Sequence, residues 1–174
     1  MDELRERYDL EEAEERRLEE NRGKSPYLRN MESDGVNYPI PELFDSTRIV
    51  LLDRDTVGAG ELTFGYSEFA GKTSLHKKHT HGDCEEVMFI LKGKGVGGVG
   101  EIECIFKEGD AIFVPRGTEH WFYNPYDESC GMLFFYTKPS LREAGYALKS
   151  KGFDEQGNAV EALQREGKNQ FDQR

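Results

Sequence analysis

From Thr47 to Thr137 the chain is written in short runs of β-branched and aromatic residues: RIVLLD, ELTFGYSEF, EVMFILKG, EIECIF, AIFVP, HWFY and MLFFYT. Glycine, proline and charged residues separate them. Runs this short fall below the length of an amphipathic helix, and their regular spacing is the pattern of an antiparallel sandwich or barrel. Gly109-Asp110 and Val114-Pro115-Arg116-Gly117 read as turns, the second with Pro and Gly where a type I turn prefers them. No histidine-bearing segment is repeated, and four histidines cannot supply two copies of a three-histidine site. One all-β barrel over residues 47–138 is expected.

The flanks differ in character. Residues 2–22 have helix-forming composition and i,i+4 pairs such as Glu3/Arg7 and Glu12/Arg16. Their apolar stripe is thin (Leu4, Tyr8, Leu10, Leu18), so the expectation is a solvated or partner-dependent helix ending near Gly23. An arm with Pro26, Pro39 and Pro41 follows, completing an N-terminal region of residues 1–46. Such an arm suits a neighbouring surface. Residues 139–174 form a C-terminal extension with helical candidates at 140–150 and 158–166, separated by Gly152 and Gly157.

Charge excludes some partners. The net charge is −11, and binding to nucleic acid or an anionic membrane needs clustered Lys and Arg that this chain lacks. Cys84, Cys104 and Cys130 are odd in number with no CxxC spacing, so no disulfide framework is expected. The first residues contain no apolar signal region, and no apolar run approaches the roughly 18 residues of a membrane span. A cytoplasmic protein is the expectation.

Gly93-Lys94-Gly95-Val96-Gly97-Gly98 satisfies GxGxxG. That pattern holds dinucleotide phosphates only between a strand and a helix. Here it runs into Val99-Gly100-Glu101-Ile102, so a glycine-rich hairpin between strands is expected instead.

Three of the four histidines lie in His76-Lys77-Lys78-His79-Thr80-His81. On a strand, positions i and i+2 project to one side, so His79 and His81 converge. His76 is an odd number of residues from both and is expected on the opposite face. Glu86 is also out of phase and joins the pair only if Gly82-Asp83 bends the chain. Beyond the bend, Glu86, Met88 and Ile90 share one face and Glu85, Val87, Phe89 and Leu91 the other. Taken alone, this stretch is either half a metal site or an exposed polar loop.

The segment GDAIFVPRGTEHWFYN, residues 109–124, changes the balance. With His79-x-His81, Glu86 and Gly93 it resembles the two sequence motifs of the cupin superfamily. The second motif matches throughout. The first lacks its leading glycine, with Thr73 in that place. The resemblance covers residues 47–137 and implies an antiparallel jelly-roll barrel holding a divalent metal on His79, His81, Glu86 and His120. Three imidazoles and one carboxylate suit Fe, Mn, Ni, Co or Zn. One carboxylate cancels half of a 2+ charge, and a six-coordinate ion would keep two positions open.

Around that site, His120 and Phe122 are expected to share a face, with Trp121 and Tyr123 on the other, and Phe113 and Met88 are candidates for the cavity wall. Tyr66, Tyr123, Tyr136 and Arg116 are the candidates for a proton donor or substrate-binding group, and spacing does not choose among them. Lys77 and Lys78 read as solvated charges, Cys84 as an inert thiol, and His76 as a surface histidine or one that supports a ligand. The resulting expectation is a metal-dependent enzyme on a small oxygenated metabolite. Its chemistry is either dioxygenase-type cleavage or Lewis-acid isomerase, decarboxylase or lyase chemistry; a ligand-binding or scaffold protein without turnover is the alternative. The partners expected are a small-molecule substrate and a second copy in a homodimer, with the arm at 24–45 covering the sheet edge.

Overall fold

The computed structural model describes residues 12–37, 43–44 and 46–148. Two antiparallel sheets face each other. The first has the order β1 (Val36–Asn37), β3 (Ser46–Leu52), β4 (Thr63–Phe69), β11 (Cys130–Tyr136), β6 (Glu86–Lys92), β9 (Ala111–Val114). The second has the order β12 (Tyr146–Leu148), β5 (Leu75–His81), β10 (His120–Tyr123), β7 (Lys94–Val99), β8 (Ile102–Lys107). A further short strand, β2 (Leu43–Phe44), pairs with Leu75 and His76 of β5. Because β10 occupies one edge of β5, β2 and β12 share the other edge along successive halves of it. This is the expected all-β jelly roll.

Alternation builds the interior. On β6, Glu86, Met88 and Ile90 are buried while Val87, Phe89 and Leu91 are exposed, as the two-residue period requires. Phe69, Met88, Ile90, Phe106, Val114, Phe122, Cys130 and Met132 form one apolar cluster. Val50, Cys84, Phe134, Tyr136 and Ala144 form a second, beside the histidines. Burial pushes the Cys84 thiol up to about 12, so it stays protonated and inert.

The glycine-rich run is a strand rather than a hairpin. Lys94–Val99 is β7, and the reversals are at Gly93 (φ 71°) and Gly100 (φ 64°) on either side. A Cβ on Gly95 would stand 2.1 Å from the Phe122 ring, and one on Gly97 would stand 2.2 Å from Phe106. The glycines make a floor on which aromatic rings lie. The loop before His120 also differs from expectation. Its turn bond runs from Thr118 N–H to the Pro115 carbonyl (3.0 Å), and Gly117 has φ 72°. Glycine therefore takes the third position of the turn, as type II requires, rather than the fourth position of a type I turn.

Both flanks contribute strands to this chain's own sheets. The helix α1 (Glu12–Arg22) buries no residue, in keeping with its thin apolar stripe. Part of the arm, expected on a neighbour, pairs instead with β3 and β5. The helix expected over 140–150 is a turn followed by β12. The Ser140 hydroxyl accepts from Glu143 N–H, Ala144 N–H closes one turn onto the Ser140 carbonyl, and Gly145 (φ 68°) ends it. The chain then pairs with the free edge of β5. The candidate at 158–166 and residues 2–11 lie outside the described residues.

Gly95→Ala is expected to destabilise the protein by about 1–3 kcal/mol, because Phe122 must leave its place. Gly60, with nothing within 4 Å of its Cβ position and no positive φ, is the control, and its Ala variant should stay within about 1 kcal/mol of wild type. Urea unfolding measures both; equal midpoints would contradict the aromatic-floor account.

Candidate metal centre

His81 ends β5, Glu86 begins β6, His120 begins β10 and Tyr136 ends β11. All four positions lie at one end of the barrel. His79 and His120 are directly paired across β5 and β10, and Glu86 is paired with Tyr136 across β6 and β11. One sheet therefore supplies three imidazoles and the other the carboxylate. The chain crosses between them at Gly82-Asp83, which bends as its composition demands. Gly82 N–H is fixed to the Gly145 carbonyl at 2.9 Å.

The ligand atoms of His79, His81, Glu86 and His120 all lie within 4.8 Å of one another, and all four side chains are buried. Their orientation is set by backbone carbonyls. His79 Nδ1 donates to the Lys77 carbonyl at 2.7 Å, and His120 Nδ1 donates to the Thr118 carbonyl at 3.1 Å. A carbonyl only accepts, so these nitrogens carry protons and each ring turns its Nε2 inward. His120 Nε2 then faces Glu86 Oε2 at 2.8 Å, with His81 Nε2 3.4 Å from the same oxygen. Among the described residues no hydrogen-bond donor serves Glu86 Oε2 or His120 Nε2. A buried pair of this kind is held by a positive charge between the two atoms, either a proton on Nε2 or a metal ion. Three inward imidazole nitrogens and one carboxylate oxygen are a donor set that fits a divalent metal.

The titration of these groups favours that state. Burial holds His79 well below the ordinary imidazole range, and the neighbouring His76, His120 and His81 lower it further. His81 is lowered by burial against the pull of Glu86. Burial raises Glu86, but His120 and His81 outweigh it, and the carboxyl lies well below its usual value. His79 and His81 are kept neutral and Glu86 ionised, which is the protonation state a metal needs.

His76 is on the same side as the ligands. Opposite β10 the pairing shifts: His120 faces His79, but Phe122 faces His76, so three residues of β5 match two of β10. This bulge adds the odd residue that returns His76 to the interior. Its ring stacks on His79 with centroids 4.0 Å apart, and burial, followed by the charge of Arg48, keeps it neutral. Lys77, within the bulge, is buried rather than solvated. Lys78 is exposed and lies over the Trp121 ring.

Of the four candidate proton donors or binding groups, Tyr136 alone is placed against the cluster. It is fully buried, and its ring lies 4.7 Å from that of His81. Its oxygen accepts from Arg48 Nη2 at 2.7 Å, and its position is paired with Glu86 across β11 and β6. Burial raises this phenol well above its ordinary value, reinforced by Glu86 and opposed by Arg48, so it stays protonated. Tyr66 belongs to the outer face, donating to Glu68 at 2.9 Å. Tyr123 also faces outward, stacked on Trp121. Arg116 is exposed in the turn before His120. Phe113 is exposed, because β9 directs Val114 inward; Met88 and Phe122 do line the interior. Asn124, at the end of the second motif, is a tie: its amide donates to the Phe69 and Glu128 carbonyls.

The cupin-domain family matches residues 65–136, the stretch that holds all four convergent side chains. The barrel belongs to the cupin superfamily. Solved structures with a similar arrangement include the polyketide cyclase RemF from Streptomyces resistomycificus, at 20% identity and TM-score 0.58, covering 75% of this chain and 89% of that one. A predicted oxalate decarboxylase from Thermotoga maritima is similar at 18% identity and TM-score 0.56, over 64% of this chain and 98% of that one. A recombinant oxalate oxidase in complex with glycolate is similar at 16% identity and TM-score 0.56, over 67% of this chain, which spans 61% of that protein's length. At these identities the likeness shows the fold. No curated protein sequence matches the chain. No helix among the described residues is long and apolar enough to cross a membrane.

Sequence reasoning passed over Arg48. It is buried at 3% exposure, with its guanidinium carbon 4.6 Å over the Phe134 ring. The signal was its parity, since Arg48 is in phase with the buried Val50 on β3.

The neutral buried histidines fix the sign of the pH dependence. Unfolded histidines take up protons near pH 6.5 while His76, His79 and His81 in the folded, metal-free protein do not. The unfolded state then binds more protons, so stability falls as pH drops below about 6.5, by up to ~1.4 kcal/mol per pH unit for each group that stays neutral. Thermal melts of chelator-treated protein at pH 7.5, 6.5 and 5.5 test this, and a flat profile would contradict it.

Proposed function

We propose that this cupin is a metal-dependent enzyme acting on a small oxygenated metabolite, with His79, His81, Glu86 and His120 holding a divalent transition metal. The observation that carries the reading is the convergence of four buried ligand groups, whose ligand atoms all lie within 4.8 Å of one another and include the 2.8 Å approach of His120 Nε2 to Glu86 Oε2. A cation at the point where all four groups converge accounts for this contact together with the approach of His81 Nε2 to the same oxygen. A bound dication supplies Lewis acidity toward a substrate oxygen.

This chain's own residues supply the rest. The Lys77 and Thr118 carbonyls fix the tautomers of His79 and His120. Tyr136 is paired with Glu86 across the strands and keeps its hydroxyl proton, so it acts as a hydrogen-bond donor rather than a base. Its place beside the ligands suits delivery of a proton to a developing carbanion or enolate oxygen. Met88 and Phe122, both buried, keep water from the interior below the cluster. A protonated donor next to the metal candidate favours redox-neutral chemistry, namely decarboxylation, isomerisation or a lyase reaction, over oxygen-dependent cleavage. Neighbours described as a polyketide cyclase and a predicted oxalate decarboxylase fit that branch, and one described as an oxalate oxidase fits the other.

Purified protein is expected to contain close to one equivalent of a first-row transition ion by elemental analysis. His120→Ala should lose it, and Tyr136→Phe should keep it with roughly 10–100-fold weaker affinity. Wild-type protein that stays metal-free after reconstitution would defeat the reading. Turnover of hydroxy acids and β-diketones should proceed without oxygen uptake; consumption of oxygen in step with substrate would move the assignment to the dioxygenase branch.

A further inference from the structure

Arg48 enters the barrel far from where its charge is needed. Its pairing partner on β4 is Ser67, while the Tyr136 hydroxyl it donates to belongs to a row four residues further along β11 than Met132, the partner of Ser67. The side chain spans that distance by running over Phe134, whose ring lies against the bare Cα of Gly65. A Cβ on Gly65 would meet the Phe134 ring at 2.3 Å. Glycine, ring and guanidinium are thus layered so that a permanent charge is delivered beside Tyr136. The Tyr136 ring in turn lies 4.7 Å from that of His81, which places the guanidinium on the ligand side of the barrel.

We propose that Arg48 recognises a carboxylate on the substrate, which makes small organic acids the substrate class of the metal-dependent activity proposed above, on which this inference rests. A guanidinium is a planar fork of five N–H donors and is charged at every accessible pH, and its best complement is a two-oxygen anion. The charge balance agrees with this. Glu86 offsets only half of a dication, so the cluster keeps positive charge, and Arg48 adds to it on one side. A carboxylic acid with a neighbouring oxygen would place its second oxygen toward the metal ligands and its carboxylate toward Arg48. In a low dielectric, such an arrangement discriminates strongly against neutral analogues.

The test uses full-length protein reconstituted with Mn(II) and titrated calorimetrically with glycolate and with its neutral isostere glycolamide. Wild type should prefer glycolate. Arg48→Gln should reduce that preference at least tenfold with bound metal unchanged, and Arg48→Lys, which keeps a charge but not the fork, should fall between. Tyr136→Phe should retain the preference. An Arg48→Gln or Arg48→Lys protein that holds metal and discriminates like wild type overturns the proposal. Equal loss in Tyr136→Phe also overturns it, because Arg48 would then act only by positioning the phenol. Wild-type protein that takes up no manganese overturns the metal reading itself, a different failure.

Discussion

The contact between Glu86 Oε2 and His120 Nε2 governs the rest of the site. These two buried atoms at 2.8 Å call for a positive charge between them, a proton on Nε2 or a metal ion, because the carbonyl of Thr118 already takes the Nδ1 proton. Protonating the rings is opposed by burial for His79 and His81. The arrangement gathers four ligand groups that a dication can bridge, and the jelly roll is what maintains it. Paired strand ends set the spacing, with His79 opposite His120 and Glu86 opposite Tyr136, so the ligands cannot drift apart without breaking ladder hydrogen bonds.

Two features adapt this scaffold to its contents. The first is the glycine floor of β7, where rings of Phe106 and Phe122 occupy space that side chains would otherwise fill. The second is the layered path of Gly65, Phe134 and Arg48, which carries a cation up through an apolar interior. The aromatic surfaces shield the guanidinium from bulk water and offer it a favourable face, so burial costs less than it would among aliphatic neighbours.

Much of the fold was legible because a strand's two-residue period is rigid. The alternation of β6, the convergence of His79 with His81, and the bend at Gly82-Asp83 all followed from local chemistry. What escaped involved distances that no local period encodes. The bulge in β5 reversed the facing of His76, and nothing in Lys77-Lys78 announces an extra residue. Arg48 has no reading of its own in the sequence, since its burial depends on Phe134, 86 residues away. The segment 140–148 has helical composition, but Gly145 and an unoccupied strand edge decided its form. Tyr136 could be separated from Tyr66 and Tyr123 only by the register of β11 against β6.

The bulge gives β5 two counting frames. Everything from His79 onward is locked to His120, while everything up to His76 is locked to Phe122, and the slack residue lies between. Insertions or deletions upstream would therefore slide the stacked histidine without disturbing the metal pair, and changes downstream would carry both ligands together. The lining of the cavity and the grip on the ion are in this way free to diverge separately, one strand serving as two.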